Sequence, residues 1–143
     1  MTSDAEFVRD FEEQRWPLDR WHHRDHVRLA YLFLRDGRFE QAAGRLRAGI
    51  KAHNAAHGIV DAPTQGYHET MTLAWLRLVE FVLAEYGPEE NGDAFCDAHP
   101  ELLQKKTLRL FYSKDLFMSP RAKVEFVEPD LAPFPKARCE KNR

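Results

Sequence analysis

Two short segments hold the side chains best suited to chemistry: Trp-His-His-Arg-Asp-His at 21–26 and Tyr-His-Glu-Thr-Met-Thr at 67–72. Each opens a stretch with helical apolar periodicity. On a wheel of about 100° per residue, His26 aligns with Leu29, Ala30 and Phe33, and His23 lies at the edge of that stripe near Val27 and Leu34. His22 falls close to His26 by angle but precedes the regular helix. His68 shares a stripe with Met71, Trp75, Val79 and Val82, whereas Glu69 is turned about 100° away.

A buried imidazole needs hydrogen-bond partners or a metal. His23, His26 and His68, drawn from two helices, would form a three-imidazole set for a divalent transition metal. Fe, Zn, Mn and Ni all suit such ligands. Neutral imidazole is also the base best matched to physiological pH. In that reading His68 is catalytic, and Glu69 or Tyr67 orients a ring or handles a proton. Asp25 is a further orienting carboxylate. The competing reading makes the same histidines members of a hydrogen-bonded core that fixes helix pairing. The metalloprotease pattern HExxH is excluded, because Thr72 stands at the second histidine position.

Other polar residues carry less. His53 and His57 have the i, i+4 spacing that can clamp a metal, but they also end a helix, where imidazolium favours the dipole. His53 continues the stripe of Phe39, Leu46 and Ile50 and so would border the same pocket. His99, before Pro100, reads as structural. Thr70 and Thr72 suit back-bonding to their own helix. Arg121 and Lys123 are candidates for an anionic substrate group. Lys105, Lys106 and Arg109 read as a solvated helix face.

These residues need helices to place them. A first helix over about 4–15 starts with a capping box at Ser3 and Glu6 and stops at Trp16-Pro17. A second runs from about 23 to 35, with Arg24, Arg28 and Arg35 on its wet side, and ends at Asp36-Gly37 through a left-handed glycine. A third spans about 39–56, closed by Gly58, and pairs with the second as a hairpin. Residues 59–66 form a loop. The fourth and most apolar helix runs from about 67 to 86, ended by Gly87-Pro88. Short helices follow at about 93–98, 101–111 and from Ser119-Pro120 to about 126. Residues 128–143 read as an extended tail packed through Leu131 and Phe134.

The pattern therefore predicts an all-α, single-domain bundle, with its core over about 4–127. A chain of 143 residues suits one domain. Hydrophobic residues at 43% and charged residues at 31% fit a soluble globular protein, and a net charge of −2 offers no case for nucleic acid or an anionic membrane. The longest apolar run, 29–34, is too short to span a bilayer. The polar start lacks the features of a signal peptide. Cys96 and Cys139 show no zinc or disulfide spacing, so the expected compartment is the cytoplasm.

Four blocks occur in order: HRDHVRLAYLFL, GIKAHNAAHG, GYHETMTLAW and YSKDLFMSPRAKVEFVEPDLAP. With them, the chain resembles an uncharacterised family of small all-helical bacterial proteins bearing HxxH and YHET motifs. The resemblance covers roughly residues 20–135. It implies one helical domain of bacterial type and assigns no activity.

Two functional expectations stand. One is a metal-dependent or histidine acid/base enzyme acting on a small molecule between the second and fourth helices. The other is a binding or interaction module, such as a homodimer, whose histidines are structural and whose exposed Trp16, Trp21 and Phe117 meet a partner.

Overall fold

A computed structural model describes residues 2–137, and among them the chain is all-α, with no β-strand. Helix α1 spans Asp4–Glu12, and the Ser3 hydroxyl accepts the Glu6 N–H at 3.2 Å. It ends earlier than the proline alone requires. Gln14 takes φ 59°, and the N–H groups of Arg15 and Trp16 fold back onto the Asp10 carbonyl at 2.7 and 3.1 Å. A 3-10 turn over Leu18–Arg20 then leads to α2, His23–Asp36.

Helix α2 sits at the centre, packed against α3 (Phe39–Ala56), α4 (Glu69–Tyr86) and α5 (Gly92–Ala98). Every residue from His26 to Phe33 is buried, including Arg28, which the wheel places on the wet side. An ion pair explains the exception. The Arg28 guanidinium donates to Asp4 Oδ1 at 3.0 Å and to the Thr2 carbonyl at 2.8 Å, and it lies over the Phe7 ring at 4.3 Å. Asp4 Oδ2 in turn accepts the Gly92 N–H at 3.0 Å. One carboxylate thus ties α1, α2 and the start of α5 together. A charge enters the interior only when compensated in this way.

The connection Gly37-Arg38 returns α3 against α2. Gly37 is extended (φ −160°), not left-handed as expected for a helix-closing glycine. Its lack of a side chain matters for close approach, since a Cβ there would stand 3.0 Å from Gln41 Oε1. Gly58 does adopt the left-handed region, φ 72°, beyond the end of α3.

Helix α4 starts at Glu69, two residues later than expected, with His68 as its cap. Its buried face carries Trp75, Leu76, Leu78, Val79 and Val82. Each such side chain contributes roughly 1.5–3 kcal/mol by burial. The single helix expected over 101–111 is instead two 3-10 stretches, Pro100–Leu103 and Lys105–Leu110. Short helices α6 (Lys114–Phe117) and α7 (Pro120–Val124) follow, capped by Ser113 and Ser119. Residues 125–137 run back over this region without regular structure. Tyr112 donates its hydroxyl to the Val127 carbonyl at 2.7 Å, the Leu131 N–H reaches the Phe111 carbonyl at 2.9 Å, and Phe134 packs on Phe111. The end of the expected tail, with Cys139, lies outside the described residues. No helix among the described residues is long and apolar enough to cross a membrane.

Candidate functional site

The two motifs meet different fates. His23 opens α2, and its Nε2 lies 2.8 Å from the Leu102 carbonyl. A carbonyl only accepts, so Nε2 carries the proton and Nδ1 keeps the lone pair. One turn on, His26 stands edge-on to His23 with ring centroids 6.2 Å apart. The His26 ring is flanked by Trp21, and His23 packs on Trp75 at 4.4 Å. His26 is buried, and among the described residues its Nε2 has no hydrogen-bond partner. Burial lowers the His26 pKa to about 3, and His23 pushes in the same direction. The His23 pKa is lowered too, first by burial and further by Lys105, against the raising effect of the Leu102 carbonyl. Both imidazoles are therefore neutral hydrogen-bonding groups near pH 7.

His68 is not with them. As the cap of α4, it accepts the Met71 N–H on Nδ1 at 3.0 Å, and its Nε2 lies 3.0 Å from the Phe117 carbonyl. Both ring nitrogens are used, so no lone pair remains for a metal. The ring stacks on Phe117 at 4.6 Å. Burial lowers its pKa. The expected trio His23, His26 and His68 is thus not assembled, and no group of three or more potential metal-binding side chains occurs among the described residues.

The expected catalytic set Tyr67, His68 and Glu69 is likewise committed to the fold. Arg47 on α3 grips Glu69 through two nitrogens, at 2.9 and 2.7 Å, and the Tyr67 hydroxyl donates to Glu69 Oε1 at 2.5 Å. Burial pushes Glu69 up, but Arg47 and Tyr67 outweigh it and its pKa falls below the usual carboxylate value. Tyr67 is raised, by burial first and by Glu69. A carboxylate so held, beside a phenol so reluctant to ionise, locks α3 to α4 and is poorly placed to move protons.

The other expectations resolve similarly. His53 and His57 share one acceptor, the Trp16 carbonyl, at 2.8 and 3.1 Å. Trp16 is buried, contrary to the expectation that it faces a partner, while Trp21 and Phe117 are half-buried against their own chain. Thr72 bonds back to the His68 carbonyl at 3.0 Å, but Thr70 reaches instead to the Glu125 carbonyl at 2.9 Å. Arg121 pairs with Glu125, and Lys123 with Asp61. Asp25 caps α2, accepting the His22 N–H at 2.8 Å. His99 is buried against Phe95. Cys96 is buried, which raises its thiol to about 11.

What the structure adds is space. A cavity of about 960 Å³ opens between α2, α4 and the segment 105–118. His23 and His26 form part of its wall, with Trp21, Met71, Trp75 and Phe117. Lys105, Arg109 and Lys114 also line it, so the supposed solvated helix face borders the site. Sequence reasoning set Lys105 and Arg109 aside because a 3-10 stretch presents side chains differently from an α-helix, and Lys114, at the start of α6, belonged to no pattern. Their local signal was the lack of any acidic residue from 102 to 114. The exposed Met118 and Leu131 also line the cavity, giving it apolar surface in contact with solvent. No family model, curated protein or solved structure matches this chain.

Proposed function

We propose that this protein binds a small molecule with a sizeable apolar body in the cavity beside His23 and His26. The observation that carries the reading is His26, a buried imidazole on the cavity wall whose Nε2 has no partner among the described residues. Buried polar groups are nearly always satisfied, and leaving one unpaired costs about 1–3 kcal/mol. A ligand that hydrogen-bonds to this ring after local adjustment recovers that cost. The volume falls in the range of drug-sized ligand sites, and the mixture of aromatic walls with a few polar groups is what such sites use.

Binding is favoured over acid/base catalysis. A histidine whose pKa lies near 3 is a weak base, far from the value that makes proton transfer efficient at neutral pH. Tyr67, His68 and Glu69 are satisfied by the fold itself and serve architecture.

A fragment screen read by NMR tests the reading, following the His26 ring nitrogens and the Trp75 indole. Bound fragments should shift both and leave the His53 ring unmoved. Fragments that move neither, or that gather along the separate cleft lined by Phe33, Arg45 and Gly49, would overturn it.

A further inference from the structure

The charges around the cavity are one-sided. Lys105, Arg109 and Lys114 line it, and among the described residues neither aspartate nor glutamate does. Among the described residues none of these three cations forms an ion pair. Several cations elsewhere are paired: Arg24 with Asp93, Arg28 with Asp4, Arg45 with Glu12 and Arg47 with Glu69. Three cations without an ion pair thus stand beside one aromatic wall, although others, such as Arg38, Lys106 and Lys136, lie elsewhere.

The neighbouring polar groups are spent or neutral. The Ser113 hydroxyl is held by Asp130 at 2.6 Å, and Tyr112 is held by the Val127 carbonyl. His23 has one nitrogen on the Leu102 carbonyl, while its Nδ1 makes no hydrogen bond among the described residues. Low-dielectric walls beside like charges concentrate the field and favour an ion of opposite sign. The apolar lining, from Trp75 and Met71 to the exposed Met118 and Leu131, favours a hydrocarbon body.

We infer that the occupant is an amphipathic organic anion, with a single acidic head at Lys105, Arg109 and Lys114 and an apolar body against Trp21, Trp75 and Phe117. The inference rests on the binding function proposed above and narrows it to one class of ligand. Neither the head nor the body suffices alone. Exposed ion pairs are individually weak, and the apolar wall by itself does not select among hydrocarbons.

Matched pairs of probes test this by isothermal titration calorimetry at low ionic strength: decanoate against decan-1-ol, and 2-naphthoate against 2-naphthalenemethanol. Inorganic phosphate serves as a head-only control. The acid should bind about tenfold more tightly than its alcohol in at least one pair. That preference should shrink with added salt and drop below about threefold in the double variant Lys105→Gln/Arg109→Gln, whose affinity for the alcohol stays unchanged. Both substituted residues are exposed, so the fold should tolerate the changes.

Equal affinity for acid and alcohol overturns the inference and leaves the cavity as a neutral-ligand site. So does an acid preference that survives in the double variant. Phosphate binding as tightly as the acids also overturns it, by making the apolar body irrelevant. If no probe binds and the His26 and Trp75 signals stay still, the binding function falls together with the inference.

Discussion

His53 and His57, one helical turn apart on α3, both direct Nε2 to the carbonyl oxygen of Trp16, at 2.8 and 3.1 Å. This spacing, which in sequence suggests a metal clamp, instead fastens the connection after α1 to α3. The two contributions are unequal. His53 is fully buried and stacks on Phe11, whereas His57 is half-exposed. His53→Ala should therefore destabilise the protein by about 2–3 kcal/mol, from a lost hydrogen bond plus a cavity. His57→Ala should cost less than about 1 kcal/mol, because His53 still satisfies the carbonyl. Urea denaturation of both variants checks the order, and equal losses would contradict it.

Acid should unfold this protein sooner than its carboxylates alone demand. His23, His26, His53 and His68 all have lowered pKa values in the fold, led in each case by burial. For a lowered histidine, the unfolded chain binds more protons once the pH falls below its ordinary value of 6.5. Stability is then complete above pH 6.5 and declines as the pH drops toward the folded value, about 3 for His26. Each such group steepens the decline by about 1.4 kcal/mol per pH unit while its unfolded form is charged and its folded form is not. His26→Phe should reduce the slope between pH 6 and 4 by about one proton. Denaturation midpoints followed across that range give the slope, and an unchanged value would show that His26 is not held neutral.

The Arg47–Glu69–Tyr67 network should behave as a fastening. Glu69→Ala removes the acceptor of a half-buried Arg47 and of the Tyr67 hydroxyl, and should cost about 2 kcal/mol. Its effect on ligand affinity, after correction for unfolded protein, should be less than about twofold, since Glu69 does not line the cavity. A large affinity loss with intact stability would return Glu69 to the site. His68→Asn should be milder than His68→Ala, because asparagine also caps a helix N-terminus. The difference should be about 1 kcal/mol, read by thermal or urea unfolding.

Asp4, at 3.0 Å, is the nearer of two acidic partners of Arg28; Asp93 lies at 4.0 Å. Asp4→Ala should destabilise by about 2–3 kcal/mol, because it leaves a buried guanidinium with only the longer contact to Asp93. Gly92→Ala should fail for a steric reason at the same place. Its added Cβ would stand 2.6 Å from Arg28 Cγ and 3.0 Å from Asp4 Oδ1. The two changes strike one junction, so their combined cost should fall short of the sum. A double-mutant cycle measures that shortfall.

Periodicity and caps were enough to place α2, α3 and α4 and the all-α class, since these depend on neighbours three and four residues away. Ser3, Ser119 and Gly58 mark helix ends from local chemistry alone. The same local pattern identified His23 and His26 as residues facing the interior. It also placed Arg28 in water, because a helical wheel cannot anticipate Asp4 from another helix. The fate of each polar group was decided by tertiary structure. His68 looked like a ligand until the Phe117 carbonyl, 49 residues on, took its second nitrogen. His23 finds Leu102 across 79 residues. Lys105 and Arg109 border the cavity only because the C-terminal 3-10 segment folds back over the start of α2. A side chain's face is a property of its own helix, whereas its hydrogen-bond partners and the space beside it belong to distant parts of the chain.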